Sequence, residues 1–510
     1  MLDKYLENKI KSKLRLYHTL QASDTIETKE LCRMLRTNES ALRALIRALQ
    51  DDFQGLAEIK RKRFRLSLRI YDNVNTLQLQ HAIYRDSIVL QCLKFLITNE
   101  NRVPYSQFSN TFFLSTSSAY RIRNICHDYL RSIGLDINSN KIVGEEYRIR
   151  FLIALLNHKY GIPFSEIDDR SVTLARSFVL STNQIINADF LDSTANEYGF
   201  FERLLILSWQ RQQYAPFFKM PRELTNLQQC PIYENMKEYL QKKLEPSLGM
   251  AFSEMDYNYI YLIYCCTSSC VLSQQWVEYG IDLIYQHIFS LTSFSDLLQR
   301  LEIKFGKNAV QSRAMHIALV NFYKKLILGL QCIMPDTHLY LESRNNPLTL
   351  QLIDQMTELL GTWKKDNGIE YPPGSDHIRY LSVQIECIVR QFMKPVQVVV
   401  VSDLIAELEI MKLVFDRKFP PQRVSLTEHL LTAYSTDFLR SLKDSVIIVK
   451  HSFIKTLERM ELSVYNTIVS VTVEFNPYDI NAIYLAIKHY EDKFFLDNMM
   501  DSCNAEPAIN

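Results

Sequence analysis

The sequence predicts a mainly helical chain of several domains that ends in a small α/β domain. Its 510 residues exceed what one hydrophobic core supports, because cores stop growing at roughly 250–300 residues. The chain holds only 12 glycines, and long stretches lack the glycine or proline that would interrupt a helical pattern. Near the C terminus, β-branched runs alternate with helical segments, which is typical of a parallel sheet covered by helices.

The amino-acid composition is that of a globular protein from a reducing compartment. Hydrophobic residues make up 47% and charged residues 23%, which indicates a globular chain and argues against extended disorder. Ten cysteines follow no repeating spacing, so we expect a reducing cytoplasm. The first residues carry charges, and no uncharged apolar run approaches the ~20 residues of a membrane span. We therefore expect a cytoplasmic protein that neither spans a membrane nor is exported.

The net charge of +1 conceals an uneven distribution. Residues 1–160 hold 26 lysines and arginines against 16 aspartates and glutamates, whereas the remainder holds 32 against 41. A positive head on a negative body is the electrostatic pattern of nucleic-acid binding, because neutralised phosphates release counterions. The N-terminal third is predicted to meet a polyanion.

The first part of this head predicts a helix-turn-helix. Helices are expected at about Leu2–Leu20 and Thr28–Leu35, and a third begins near Ser40. In the third helix, apolar residues recur at helical spacing, which leaves Arg43 and Arg47 on the opposite face. A run of cations then predicts a strand pair or wing suited to a phosphate backbone: Lys60, Arg61, Lys62 and Arg63. The alternative is a small helical bundle with a solvated charge run.

A clearer winged helix-turn-helix is predicted at residues 83–150. A helix through Ile83–Thr98 precedes a shorter one that opens at Pro104 and runs through Phe113. Leu114–Ser118 supplies a tight turn and an N-cap. The next helix ends at Gly134, a residue that readily closes a helix in the left-handed conformation, and a hairpin of wing length follows.

The outward face of that last helix carries the chemistry of base recognition. Short hydroxyls at a helix N terminus suit phosphate oxygens, and the two-donor ends of Arg and Asn suit guanine and adenine edges in the major groove. This face is expected to hold Ser117, Ser118, Tyr120, Arg121, Asn124 and His127. We expect Arg121 and Asn124 to contact bases, and the earlier cations to hold phosphates.

The remainder of the chain is predicted to be helical at first and then to alternate between strands and helices. From about Ile162 to Gln391, helix follows helix, and the stretch divides near residue 287. Strands are then predicted at Val396–Val401, Ser445–Val449 and Thr467–Val473. Helices are predicted at Asp403–Phe415 and from Asp479 to about Phe495.

Four segments together resemble the Mga-type virulence and global regulators of Gram-positive bacteria. They are Tyr84–Leu96, Phe113–Arg123, Gly134–Asp136 and Val143–Leu152. The wider family, which includes the anthrax toxin activator, implies two winged-helix domains, two all-helical phosphotransferase-system regulation domains and a C-terminal domain like phosphotransferase IIB. Its layout implies boundaries at 1–70, 71–160, 161–286, 287–394 and 395–500, with a tail at 501–510.

The resemblance also implies partners and control. It implies binding to double-stranded promoter DNA, a homodimer or higher oligomer formed through the C-terminal half, and phosphorylation of histidines by the phosphocarrier protein of the sugar phosphotransferase relay. Residues 162–285 contain no histidine. The candidate acceptors are therefore His316 and His377, with His287 and His338 also present. The loop after the first C-terminal strand lacks the cysteine of catalytic IIB domains, so we expect no phosphate transfer there.

Two other functions stay open beside a DNA-binding regulator. One is an enzymatic component of the phosphotransferase system, and the other is an interaction scaffold whose basic head binds acidic proteins. The sequence lacks GxxxxGK[ST], GxGxxG, HExxH and GxSxG patterns, so nucleotide binding and hydrolysis have no support. Cys265, Cys266 and Cys270 fit a core helix better than a zinc site. We expect no catalytic residues, metal or cofactor.

Overall fold

The computed structural model describes residues 2–99, 103–164, 167–182, 195–216, 228, 231–266, 286, 288–334, 347–431, 437–472 and 476–504. They form two compact units. The first lies within residues 1–295, 319–345 and 357–380, and the second within residues 296–318, 346–356 and 381–510.

The first unit begins with a winged helix. Its elements are α1 (Asn8–Gln21), β1 (Ile26–Glu27), α2 (Thr28–Met34), α3 (Glu39–Asp52), β2 (Ala57–Lys62) and β3 (Arg65–Ile70). The strands form an antiparallel sheet in the order β1-β3-β2. Leu42 and Leu49 of α3 are fully buried, while Arg43 and Arg47 are exposed, as the helical spacing predicts. The predicted strand pair is β2–β3, and β1 was not predicted because two residues carry no periodic signal.

The predicted first helix is interrupted. Residues Leu2–Tyr5 form a 3-10 turn, and α1 starts only at Asn8. Glu7 between them has an extended backbone with ψ of 144°. Its carboxylate accepts hydrogen bonds from Ser87 Oγ at 2.8 Å and from the Val89 N–H at 3.0 Å. This long-range contact, which sequence periodicity cannot register, directs the chain away from a continuous helix.

A second winged helix follows. It consists of α4 (Thr76–Tyr84), α5 (Ile88–Thr98), α6 (Tyr105–Thr111), α7 (Thr116–Ser132), β4 (Leu135–Asn138), β5 (Lys141–Gly144) and α8 (Glu146–His158). The antiparallel β4–β5 pair is the predicted hairpin, with Asn138 opposite Lys141. Ser139 and Asn140 form its two-residue turn with φ of 48° and 61°, which Asn tolerates better than most residues.

Two predictions in this region are wrong. The single helix expected at Ile83–Thr98 is divided between α4 and α5, because the Ser87 hydroxyl caps a new helix by accepting from the Leu90 N–H at 3.3 Å. The helix expected to include Phe113 ends at Thr111. Phe113 instead lies in the turn before α7 with φ of 51°, and its side chain is 96% exposed.

The middle of the chain is helical in the described residues, as predicted. Its helices are α9 (Asp169–Thr182), α10 (Ala195–Gln210), α11 (Pro231–Tyr239), α12 (Glu245–Leu248), α13 (Glu254–Cys266), α14 (Thr292–Phe305), α15 (Lys307–Val310), α16 (Arg313–Ile327), α17 (Pro347–Asp366) and α18 (Ser375–Gln391). A π-helical turn, Leu240–Leu244, joins α11 to α12. His287, His338 and Cys270 lie outside the described residues. The boundaries proposed for two separate helical domains stay predictions.

The C-terminal part contains the predicted small parallel sheet. Its elements are β6 (Val396–Ser402), α19 (Ile405–Lys418), β7 (Val424–Leu430), α20 (Asp437–Ser441), β8 (Val446–Lys450), α21 (Ile454–Glu458), β9 (Thr467–Val471) and α22 (Pro477–Asn504). All strand pairs are parallel, in the order β7-β6-β8-β9. Apolar side chains pack on both faces of the sheet. Val473, which was expected to end the last strand, lies outside the described residues.

Candidate nucleic-acid interface

Helix α7 starts at a well-formed cap. Ser115 is the N-cap, and its hydroxyl oxygen accepts from the Ser118 N–H at 3.3 Å. The Ser115 hydroxyl also donates to Ser118 Oγ at 2.9 Å. Capping satisfies one of the free N–H groups of the first turn, and the helix dipole makes this end electropositive. The turn and cap predicted at Leu114–Ser118 are therefore present.

The inner side of α7 is held by buried contacts. Ala119, Cys126, Tyr129 and Leu130 are buried. The hydroxyl of buried Tyr105, on α6, donates to the Ala119 carbonyl at 2.9 Å, and burial raises the pKa of this phenol. Because the helix is attached both by apolar packing and by this buried hydrogen bond, its outward face has a defined orientation.

That outward face consists of the side chains that the sequence predicts. Ser117, Tyr120, Arg121 and Asn124 are exposed, and Ser118 is half-buried. The Tyr120 ring is 53% exposed and lies 6.1 Å from the Tyr105 ring, centroid to centroid. The face thus combines hydroxyls at the helix N terminus with a guanidinium and an amide one turn later, which suits phosphates and base edges in that order.

His127 has a different role from the one its helical position predicts. Its Nε2 lies 2.8 Å from Asp136 Oδ1 on β4. The Ile137 N–H donates to the same carboxyl oxygen, and together with His127 it lowers the pKa of Asp136. His127 therefore joins α7 to the β4–β5 hairpin, and we do not assign it to base contacts.

The N-terminal winged helix presents a second basic surface. Arg43 and Arg47 are exposed on α3, and the Arg43 guanidinium donates to Glu39 at 3.1 Å. Lys60, Arg61, Lys62 and Arg63 are exposed on the β2–β3 hairpin. Exposed ion pairs of this kind contribute little, so Arg43 remains available to a phosphate. The structure thus places the predicted cations on two elements, α3 and the hairpin.

Arg148 of α8 is a residue whose role the sequence analysis missed. Its guanidinium is buried and donates to the carbonyls of Ile133 at 3.3 Å and Gly329 at 3.1 Å. It also donates to the Tyr371 hydroxyl at 2.7 Å. Ile133 directly follows α7, whereas Gly329 and Tyr371 belong to the helical region. One buried side chain therefore connects the end of the outward-facing helix to the helical region of the same unit.

A second buried arginine on α8 reaches another helical segment. Arg150 donates to the Arg211 and Tyr214 carbonyls at 3.1 and 2.8 Å, and both Arg150 and Arg211 donate to Glu146. The sequence did contain a signal for these two roles: Arg148 and Arg150 interrupt the otherwise apolar run Tyr147–Leu156. An arginine in a buried helix must have hydrogen-bonding partners, because an unpaired buried charge is costly.

The two candidate phosphoacceptors differ in exposure. His377, in the first turn of α18, is only 3% exposed. His316, on α16, is half-buried, and burial lowers the pKa of its imidazole. A lower pKa favours the neutral ring, which is the nucleophilic form. On accessibility, His316 is the better candidate.

The loop after β6 holds a closed polar cluster. The Ser402 hydroxyl donates to Glu407 at 2.7 Å, and the Lys450 ammonium contacts both Glu407 and Asp403. The carboxylates are thus engaged by protein groups. Among the described residues, no group of three or more His, Cys, Asp or Glu side chains is arranged to hold a metal ion. No described helix has the length and apolarity needed to cross a bilayer.

Comparison with known proteins identifies one segment. Residues 72–156 match the family model of the Mga helix-turn-helix domain. This range includes α4 to α7, the β4–β5 hairpin and most of α8. The resemblance stated from the sequence is confirmed for this segment. A search of curated proteins found no match to the chain.

Proposed function

From a chain whose residues 72–156 form an Mga helix-turn-helix domain, we infer a DNA-binding transcriptional regulator of the Mga type. The observation that carries this proposal is the outward face of α7, which lies within the matched segment. It displays Ser117, Tyr120, Arg121 and Asn124 on a helix that is capped and anchored from below. A rigid helix with such a face fits the major groove of duplex DNA.

The two basic surfaces have different roles in this proposal. Arg121 and Asn124 of α7 read base edges, while Ser117 and Ser118 approach a phosphate at the helix N terminus. Arg43, Arg47 and the cations of the β2–β3 hairpin bind phosphates of the duplex. Phosphate contacts position the protein and base contacts specify the sequence, so α7 carries the specificity.

Arg121→Ala tests the role of α7. The loss of a two-donor contact to a base should weaken binding to selected promoter fragments by about 1–3 kcal/mol and relax sequence preference at one position. Fluorescence anisotropy with fragments enriched from genomic DNA measures this. Lys307→Ala, an exposed lysine of the acidic remainder, is the matched control and should bind as the wild type does. Binding unchanged by Arg121→Ala would contradict the proposal.

Control by the sugar phosphotransferase system is a further part of the proposal. The helical region would act as two regulation domains, and His316 or His377 would receive phosphate from the phosphocarrier protein. The half-buried position of His316 and the lowered pKa of its imidazole support this choice. Genes for virulence or carbohydrate use are the targets that the resemblance implies.

Oligomer formation through the C-terminal half completes the proposal. The chain would act as a homodimer or higher oligomer, and the second unit supplies a surface for it. Large apolar side chains are exposed at the start and along the outer side of α19: Leu404, Ile405, Ile410 and Leu413. Exposed apolar patches of this kind commonly mark protein interfaces.

A further inference from the structure

The tip of the β2–β3 hairpin exposes an aromatic ring. Arg63 and Phe64 form a two-residue turn between Lys62 and Arg65, which face each other across the hairpin. Arg63 has φ of 56°, and the Phe64 side chain is 76% exposed. A large apolar side chain at such a position does not contribute to the core, so the ring is accessible to an external partner.

The backbone beneath the ring is fixed. The Phe64 carbonyl accepts from the Thr28 N–H at 2.8 Å and from the Thr28 hydroxyl at 2.9 Å. Leu66, two residues later, is 2% exposed and pairs with Ile26 of β1. The turn is therefore tied to the start of α2 while the ring points into solvent. A preorganised apolar side chain loses little entropy on binding.

The charge around the ring identifies the partner. Residues 57–70 carry six lysines and arginines and a single acidic residue, Glu58. Two acidic side chains form ion pairs with these cations: Glu58 lies 3.6 Å from Lys60 and Glu27 lies 3.7 Å from Arg65, and all four side chains are exposed. The hairpin thus stays strongly positive, and a polyanion is the complementary surface.

Phosphates alone do not explain the ring, because a phenyl side chain has no charge and no hydrogen-bond donor for a phosphate oxygen. The minor groove of DNA can accommodate both the cations and the Phe64 ring. There, cations reach the phosphates on either side, and an apolar side chain can insert between adjacent base pairs. The minor groove is only about 6 Å wide, so the proposal requires only the Arg63–Phe64 tip of the hairpin to enter it.

We propose that the β2–β3 hairpin enters the minor groove and that Phe64 wedges between adjacent base pairs, bending the duplex. The proposal rests on the DNA binding inferred above and adds a second mode of recognition to it. Because unstacking costs least at flexible pyrimidine–purine steps, the wedge favours sites that contain such a step, such as TA. The N-terminal winged helix then selects DNA by deformability, while α7 selects it by base contacts.

The test measures bending and affinity separately with the full-length chain. A 40-bp duplex with a central TA step, selected for binding to the wild type, carries a fluorophore at each end for energy transfer. Phe64→Ala should abolish the change in transfer efficiency at saturating protein and weaken binding on the order of tenfold. Phe64→Trp should retain the bend. Lys62→Gln is the matched control: it should reduce the salt dependence of binding and leave the bend intact.

The outcomes separate this inference from the proposed function. A wild-type chain that binds no selected duplex would contradict the DNA-binding proposal itself. Normal binding with the same bend in Phe64→Ala would overturn the wedge and leave the DNA-binding proposal standing. A Phe64→Ala variant with an unchanged bend but a smaller oligomer by light scattering would assign the ring to a contact between copies and would also overturn it. Circular dichroism verifies that each variant is folded.

Discussion

At the scale of single residues, the α8 arginines show that a charge inside an apolar run has a structural role. Arg148 is fully enclosed, and its guanidinium lies 4.6 Å from the centroid of the Tyr371 ring while donating to three carbonyl groups and to the Tyr371 hydroxyl. An arginine can serve so many acceptors because its fork holds five N–H donors. Its planar fork makes lysine a poor substitute at this position.

Two glycines allow this close packing. Gly134, after α7, has φ of 75°, and a Cβ there would approach the Arg148 side chain at 3.4 Å. Gly329 has φ of 62°, and a Cβ there would lie 2.5 Å from the Tyr371 ring. Both positions therefore combine a left-handed backbone with a neighbour that leaves little room.

Arg148→Met should destabilise the first unit strongly. Methionine fills part of the volume but leaves buried carbonyls without donors, and removing one partner of a buried charged network typically costs about 3–5 kcal/mol. The midpoint of guanidinium unfolding, followed by circular dichroism, measures the change. Arg121→Met on exposed α7 is the control and should alter stability by less than about 0.5 kcal/mol. Equal midpoints for the two variants would contradict the role given to Arg148.

At the scale of elements, strong local sequence patterns were sufficient to predict some helices and strands. Helix α7 was predicted with its cap and terminal glycine because its apolar residues repeat at helical spacing over 17 residues. Strand β6 was predicted because five of its seven residues are valine. Strand β7 was missed because it is an edge strand with polar residues such as Glu428 and His429, so its pairing with β6 is a long-range property.

The outer side of α19 carries a prediction about assembly. Leu408, Met411 and Phe415 bury one side of this helix against the sheet, which leaves Ile405 and Leu413 exposed. Ile405→Ser combined with Leu413→Ser should shift the chain toward monomer, because the apolar area for association is lost. Light scattering after size-exclusion chromatography measures the mass.

The control for this prediction lies on the same helix. Lys418→Ser changes an exposed residue without removing apolar surface, so its mass should equal that of the wild type. A double serine variant that keeps the wild-type mass would show that α19 is not the interface.

At the scale of the whole molecule, charge separates the chain into a basic head and an acidic remainder. The head has 10 more basic than acidic residues, and the remainder has nine more acidic than basic residues. Like charges on DNA and on the remainder disfavour contact between them, so the head carries the binding. If the helical region controls binding as proposed, its signal must reach the head, and α8 with Arg148 is a physical connection between the two within one unit.

Phosphorylation provides the test at this scale. Incubation with the phosphocarrier protein, its kinase and labelled phosphoenolpyruvate should place acid-labile phosphate on the chain. His316→Ala should remove more label than His377→Ala, because His377 is only 3% exposed. A wild-type chain that takes up no label would contradict regulation by the relay. A variant that carries both His316→Ala and His377→Ala but is still fully labelled would contradict the assignment to these two histidines.

The sequence by itself determined the mainly helical class, the parallel sheet near the C terminus and the outward residues of α7, because these depend on periodicity and composition along the chain. The Mga-type segment was also recognisable from residues near one another in sequence. Only the tertiary structure decided where the first predicted helix breaks, at Glu7, and which charges are buried, as at Arg148. These features depend on partners about 80 to 220 positions away in sequence, which no local pattern encodes.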